Sequence, residues 1–236
     1  MPNALHDGVV KEWNLASRTE NFSITAHQGK VTGCVSTTVG NRLLTTGMDS
    51  LIKFWNNDPI DGIASQVDSQ VGSGLSGKIG NQNIRADNAK LNEPINQISA
   101  KTQFTNLDCQ WRETADNNFA AAGQDGNVYI YHLSGRSDPT RTYKWGDDSL
   151  TCVKFNPTEH ELLAACGMDR GVTLYDIRQP KPVRKVTLAM NSNQIAWNPY
   201  NPLMFAVANE DYQTYSAFKV DFYLVSGSFY WPILGI

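Results

Sequence analysis

Five segments of the chain align on an aspartate, at Asp7, Asp49, Asp125, Asp169 and Asp211, with spacings of 42, 76, 44 and 42 residues. The long spacing is one ordinary period with 34 extra residues. Three positions after each aspartate stands Val10, Ile52, Val128, Val172 or Thr214, β-branched in every copy. Six positions after stands an aromatic in four copies, Trp13, Trp55, Tyr131 and Tyr175, with Ala217 in the fifth. Two positions before come Gly47, Gly123 and Gly167, with Asn209 in the last copy, and six before come Leu43, Phe119, Leu163 and Phe205. These columns read as strand, tight turn, strand, and the Gly or Asn is expected to supply a positive φ in the turn. Residues 43–46, 52–55, 119–122, 128–131 and 172–175 have strand length and composition, as do the earlier runs 31–35, 150–155 and 194–197. No long 3.6-residue periodicity competes. An all-β unit recurring every ~40–45 residues has the period of a WD-repeat propeller blade. The expected fold is all-β, a partial WD-repeat β-propeller of about four blades' worth of sequence, with a non-repeat C-terminal tail.

On this frame residues 1–21 end a first, incomplete blade. Residues 22–100 form a second blade with a polar insertion at 57–95, 101–145 a third, 146–187 a fourth and 188–216 the start of a fifth, and 217–236 are the tail. The insertion is rich in Gly, Asn, Ser and Gln and reads as a surface loop. Inside it Gly72-Ser73-Gly74-Leu75-Ser76-Gly77-Lys78 satisfies G-x-G-x-x-G, and it falls one hydroxyl short of a phosphate-binding loop because Ile79 follows the lysine. No apolar strand precedes it and no amphipathic helix follows, so it is expected to be loop, not a nucleotide site.

The recurring aspartate invites two readings. In the second copy Ala26-His27 lies 22 residues before Asp49, Thr45 four before it and Trp55 six after. A Thr, a His and an Asp together suggest a catalytic triad. A structural brace fits the repetition better: Asp49 accepts from His27 and the turn amides, His27 reaches Thr45, and Thr45 meets the Trp55 indole, which leaves few buried polar groups unpaired. The third and fourth copies have Ala121 and Ala165 at the Thr position, and Gly146-Asp147-Asp148 stands where a Gly-His pair would be. The aspartates fall one per blade, too separated to act as an acid/base couple, so no enzyme is expected.

Hydrophobic residues make up 41% of the 236, which rules out disorder throughout. A net charge of -3 lacks the basic excess of an autonomous nucleic-acid binder, so any RNA contact is expected to be indirect or weak. A small basic cluster at Arg178, Lys181, Arg184 and Lys185 reads as a solvated loop, with an acidic protein or RNA phosphate as the alternative. Cys34, Cys109, Cys152 and Cys166 show neither C-x-x-C spacing nor neighbouring histidines, so the expectation is buried free thiols and no zinc. No cofactor, metal or small-molecule substrate is expected. Residues 1–20 carry no apolar signal core, and the apolar part of the tail, broken by Asp221 and Pro232, is too short to span a bilayer, so no membrane contact is expected.

Beyond the generic repeat, several runs carry a more specific likeness: Asp7-Gly8-Val9-Val10-Lys11-Glu12-Trp13-Asn14-Leu15, Lys144-Trp145-Gly146-Asp147-Asp148-Ser149-Leu150, Val153-Lys154-Phe155-Asn156-Pro157 and Thr173-Leu174-Tyr175-Asp176-Ile177-Arg178. The most telling are Asn193-Gln194-Ile195-Ala196-Trp197-Asn198-Pro199 and Ala208-Asn209-Glu210-Asp211-Tyr212. On these the chain resembles the SOF-type WD-repeat proteins, nucleolar factors of the small-subunit processome associated with the U3 small nucleolar ribonucleoprotein. The resemblance implies a noncatalytic scaffold in the nucleus and nucleolus, acting in pre-ribosomal RNA processing with the proteins of a large ribonucleoprotein assembly. It also implies a link to cullin–RING ubiquitin ligases as a substrate receptor. The family's adaptor box, aromatic-Asp-x-Arg, is matched by Tyr175-Asp176-Ile177-Arg178, with Arg178 as the adaptor contact; an ordinary strand end with a solvated arginine is the plainer alternative. The strand ends Trp13-Asn14-Leu15-Ala16 and Trp55-Asn56-Asn57-Asp58 lack both Asp and Arg. Against the seven-bladed family, the N-terminal extension, the blades after Ser216 and the basic C-terminal region are absent. The chain therefore reads as a truncated member ending in a non-family tail, an alternative transcript or incomplete gene model, expected to be unstable alone or to need a completing partner.

Overall fold

The computed structural model describes residues 2–4, 7–37, 42–56, 93–110, 117–144, 146–211, 214–218 and 225–226. The glycine-rich motif at 72–78 lies outside the described residues, as do Trp145 and Tyr212. All described regular structure is β. A first sheet contains β1 (Pro2–Ala4), β2 (Val9–Asn14) and β3 (Thr19–Thr25). The second contains β4 (Val31–Ser36), β5 (Arg42–Gly47), β6 (Leu51–Asn56) and β7 (Asn96–Ser99). The third contains β8 (Phe104–Cys109), β9 (Asn118–Gly123), β10 (Asn127–His132) and β11 (Arg141–Lys144). The fourth contains β12 (Leu150–Phe155), β13 (Leu162–Gly167), β14 (Gly171–Asp176) and β15 (Arg184–Thr187). The fifth contains β16 (Ser192–Trp197), β17 (Met204–Asn209), β18 (Thr214–Phe218) and β19 (Val225–Ser226). Each sheet is an antiparallel meander in chain order.

The first strand of each four-stranded sheet packs on that of the next: β4 on β8, β8 on β12, β12 on β16. Each also meets the second strand of the preceding sheet, β5 with β8, β9 with β12, β13 with β16. This is the blade arrangement of a propeller, with β4, β8, β12 and β16 innermost. Strand β1 meets β4 as β5 meets β8, so it holds the second-strand position of its sheet, in keeping with Asp7 just after it. The sequence columns become cross-strand partners: Leu43 faces Trp55, Phe119 faces Tyr131, Leu163 faces Tyr175 and Phe205 faces Ala217.

Two expected limits differ from the sheets. A first blade ending at residue 21 would cut β3, which pairs along its length with β2, from Thr25 opposite Val9 to Thr19 opposite Asn14. A tail beginning at residue 217 would cut β18, whose Tyr215 and Ser216 pair with Ser226 and Val225. Edge pairing needs only free backbone groups, so a strand forms there without the repeat's side-chain columns.

Apolar side chains fill the seams between sheets. Ile52, Phe54, Ile98, Phe104, Leu107 and Phe119 close the seam between the second and third, where the Phe54 ring meets Phe119 edge-on at 5.8 Å and Tyr131 stacks on Phe119 at 5.2 Å. A second set of contacts is polar and repeats. The pairing slips by one residue at the start of each innermost strand, leaving Thr32, Thr105, Thr151 and Asn193 as the extra residue of a β-bulge. The bulge frees the side chain to leave its own sheet: Thr105 Oγ1 donates to the Leu150 carbonyl at 2.6 Å, and Thr151 Oγ1 to the Ser192 carbonyl at 2.6 Å. Each hydroxyl thus ties one sheet to the first residue of the next.

The turns correct one expectation. Positive φ falls on the residue after the aspartate, Gly8 (80°), Ser50 (60°), Gly126 (78°) and Arg170 (58°), not on the glycine two before it. The earlier glycine is small for lack of room. A Cβ on Gly47 would stand 2.6 Å from the His27 ring, and one on Gly167 would stand 2.7 Å from the Ser149 carbonyl oxygen. Ser50 and exposed Arg170 hold the left-handed conformation at a cost that glycine avoids. Arg170→Gly is therefore expected to stabilise the chain by about 0.5–1 kcal/mol, the left-handed penalty of about 1–2 kcal/mol less glycine's greater loss of chain entropy, read as a raised calorimetric midpoint; a lower midpoint would refute it.

Candidate functional site

The recurrent aspartates occupy one kind of turn, yet each meets different partners. Asp49, between β5 and β6, accepts from His27 Nδ1 at 2.9 Å and from the amides of Gln28 and Leu51, each at 3.2 Å. His27 Nε2 lies 2.7 Å from Thr45 Oγ1, and the Trp55 indole donates to that oxygen at 2.9 Å. The chemistry sets the direction of the chain. The Asp49 carboxylate only accepts, so Nδ1 carries a proton; in the neutral ring Nε2 is then bare and takes the Thr45 hydroxyl proton, while Thr45 accepts from the indole. The imidazole is neutral with its proton on Nδ1, aimed at Asp49. Burial, opposed by the Asp49 hydrogen bond and charge, pulls the His27 pKa below its ordinary 6.5, which fits this assignment. His27, Thr45 and Trp55 are buried, so the four residues are brought together in a closed relay.

Asp125 and Asp169 are satisfied without a histidine. Asp125 accepts from Tyr129 Oη at 2.5 Å, from Asn127 Nδ2 at 2.9 Å and from the Asn127 amide at 3.2 Å. Asp169 accepts from the Gly171 amide at 2.9 Å and forms an ion pair with Lys185 of β15. Asp7 accepts from the Val9 amide at 3.2 Å, and Asp211 lies half-buried in the turn after β17. Tyr129 and Lys185 were not anticipated from sequence. Their signal was the missing Gly-His pair, which obliges the carboxylate to find another donor.

The strand end at residues 175–178 has two characters. Tyr175 is buried against Tyr143, with ring centroids 5.1 Å apart, and Tyr143 Oη donates to the Asp176 and Gln179 carbonyls at 3.1 and 2.8 Å. Tyr175 therefore offers no surface to a partner. Asp176 is 7% exposed, and its carboxylate takes two parallel bonds from Arg178, Nε to Oδ1 at 2.9 Å and Nη2 to Oδ2 at 2.6 Å. The Arg178 side chain is 70% exposed. The result is a solvent-facing guanidinium fixed in one orientation by a fork-to-fork pair. Of the basic cluster, Arg178 and Lys185 are thus engaged by carboxylates of the chain itself.

The four cysteines are free, with Cys109, Cys152 and Cys166 buried. Among the described residues no group of three or more His, Cys, Asp and Glu is placed to hold a metal ion, and no helix is long and apolar enough to cross a membrane.

Residues 18–56 and 137–176 match the family model described as WD domain, G-beta repeat. Each match runs from the last strand of one sheet through the first three strands of the next, which is how a sequence repeat straddles two blades. The chain is 36% identical over 211 residues to the DDB1- and CUL4-associated factor 13 of Danio rerio, covering 89% of this chain and 40% of that protein. The protein of the same name from Dictyostelium discoideum is 37% identical over 193 residues, covering 82% of this chain and 36% of the relative. That from Homo sapiens is 35% identical over 191 residues, covering 81% and 36%. The chain spans about two fifths of the length of these curated relatives. The five blade-like sheets, the two matched repeats and this likeness make the chain an all-β WD-repeat protein, homologous over most of its length to part of the proteins named DDB1- and CUL4-associated factor 13.

Proposed function

We propose that the chain is a noncatalytic docking scaffold that engages the adaptor of a cullin–RING ubiquitin ligase through Arg178. The observation that carries this reading is the exposed guanidinium locked onto Asp176. A pre-oriented arginine loses little entropy on binding and offers its remaining N–H groups to an acceptor on a partner. The relatives' name, which links them to DDB1 and CUL4, supports an adaptor of that type. Arg178→Ala is expected to weaken binding to purified DDB1 at least tenfold, the scale of a truncated interface anchor, in a protein that still folds but melts at a lower temperature, because the buried Asp176 carboxylate loses its counter-charge. Arg178→Lys is expected to restore little, because an ammonium cannot form the paired bonds. Wild-type affinity in the alanine variant would overturn this reading.

A second reading, a scaffold in small-subunit pre-ribosomal RNA processing located in the nucleolus, draws on a separate part of the molecule. The described residues of the runs that most resemble the SOF-type proteins, 193–199 and 208–211, fall on β16 and the bend after it, and on the end of β17 and the turn that follows. In this reading the partners are proteins of the ribonucleoprotein, and RNA is met indirectly, since a net charge of -3 lacks the basic excess of an autonomous nucleic-acid binder. Affinity purification from nucleolar extract is expected to recover the U3 ribonucleoprotein, and its absence would count against this role.

A further inference from the structure

Cys152 and Cys166 stand directly opposite each other on β12 and β13, immediately after the Thr151 bulge. Opposed residues of an antiparallel pair have Cα atoms about 4.5–5.5 Å apart, inside the ~4.4–6.8 Å that a disulfide bridges. The other cysteines lack such a partner in register: Cys34 faces Thr45 and Cys109 faces Phe119. We propose that Cys152 and Cys166 form a redox-active cross-strand pair that a small peroxide converts to a disulfide.

The surroundings give the two sulfurs different parts. The neighbouring Cys166, with the Ile195 amide and the Lys154 charge, holds the Cys152 thiol below its ordinary value against burial. The neighbouring Cys152 and burial push the Cys166 thiol up, and its S–H is directed at the Ser192 carbonyl, which favours the protonated form. Cys152 is therefore the nucleophile and Cys166 the resolving thiol. The Cys152 thiolate attacks one peroxide oxygen and the O–O bond breaks, giving a sulfenic acid and hydroxide, which takes up a proton to become water. The Cys166 sulfur then attacks the sulfenic sulfur. The S–O bond breaks, the S–S bond forms, and a second water leaves with the Cys166 proton. Two thiols are oxidised by two electrons and one hydrogen peroxide is reduced to two waters.

Both side chains are covered by Leu188, Ile195 and Phe205 in the seam between the fourth and fifth sheets. Entry of peroxide requires that seam to open, so the rate follows local opening of the fifth sheet rather than thiol chemistry alone. The product acts back on the seam. The Cys166 thiol is directed at the Ser192 carbonyl of β16 at 3.7 Å, and a disulfide has no S–H to donate.

The test uses the full chain, reduced and then exposed to hydrogen peroxide, quenched, denatured, alkylated and digested with trypsin, which separates the two cysteines at Lys154. The expected result is one covalent link between the peptide ending at Lys154 and the peptide ending at Arg170, with the loss of two hydrogen atoms, reversed by dithiothreitol, while Cys34 and Cys109 are alkylated. In Cys166→Ser the sulfenic acid of Cys152 is expected to persist and to be trapped by dimedone. If that variant does not fold, the wild-type peptide map decides alone. Four alkylated cysteines after peroxide, a link through Cys34 or Cys109, or sulfinic acid at Cys152 without a link would each overturn the proposal.

Discussion

Asp108→Ala is expected to destabilise the chain by about 3 kcal/mol, the lower end for removing one member of a buried ion pair. Asp108, in the third sheet, accepts from Lys154 Nζ at 3.0 Å and from the Phe155 amide at 2.8 Å, both in the fourth. Its side chain is 4% exposed and that of Lys154 33%. Removing the carboxylate leaves a buried amide without its acceptor and a half-buried ammonium without its counter-charge, at a seam otherwise closed by apolar packing. Burial pushes the Asp108 carboxyl above the usual carboxylate range even with Lys154 beside it, while against burial the charge and hydrogen bond of Asp108 hold Lys154 above its ordinary value; the desolvation cost of the pair falls on the carboxylate. The paired replacement Asp108→Leu with Lys154→Met is therefore expected to recover most of the loss or to exceed wild type. Chemical denaturation of the three proteins checks this. A single variant as stable as wild type, or a double variant worse than the single, would show that the seam does not depend on the pair. The sign with pH follows from the raised carboxyl: between its ordinary value of 3.8 and its folded value the folded chain holds more protons than the unfolded one. Acidification through that window therefore favours folding at this site.

What could be read from the sequence was what the repeat writes into residue identity. The columns at Leu43 and Trp55, or Phe119 and Tyr131, became paired cross-strand partners, and His27, Thr45, Asp49 and Trp55 met as their spacing implied. The outer strands β7, β11 and β15 were not marked out, because four-residue edge strands with exposed positions need no apolar run. A glycine column looks the same in sequence whether it answers to φ or to a neighbouring ring; at Gly47 only the position of His27 separates the two. Thr105 and Thr151 do not stand out in the sequence, since a threonine in a strand is ordinary until a bulge frees its hydroxyl for the next sheet. At the strand end, Tyr175-Asp176-Ile177-Arg178 reads as one motif, but burial divides it: Tyr175 belongs to the core, and Arg178 faces outward.

Asp49→Ala is expected to lower stability by about 2–3 kcal/mol at neutral pH, and the loss to grow in acid. The variant strips the acceptor from the buried Nδ1–H of His27 and from the Gln28 and Leu51 amides, and one orphaned buried donor costs about 1–3 kcal/mol. The acid dependence follows from the histidine. Burial holds its folded pKa below 6.5, so as pH falls through 6.5 the unfolded chain takes up the proton first and stability declines until the folded pKa is passed. Asp49 opposes that shift by hydrogen bond and charge. Without it only the Thr45 contact opposes burial, the folded pKa falls further, and the window of decline widens toward acid. His27→Gln has no imidazole to titrate and is expected to lose this limb. Calorimetric midpoints of the three proteins between pH 7.5 and 5 separate the outcomes, with Trp55 fluorescence reporting on the far end of the relay through Thr45. Parallel pH profiles for wild type and His27→Gln would mean that the imidazole does not carry the acid sensitivity. An Asp49→Ala midpoint equal to wild type would mean that the turn is held by its backbone bonds alone.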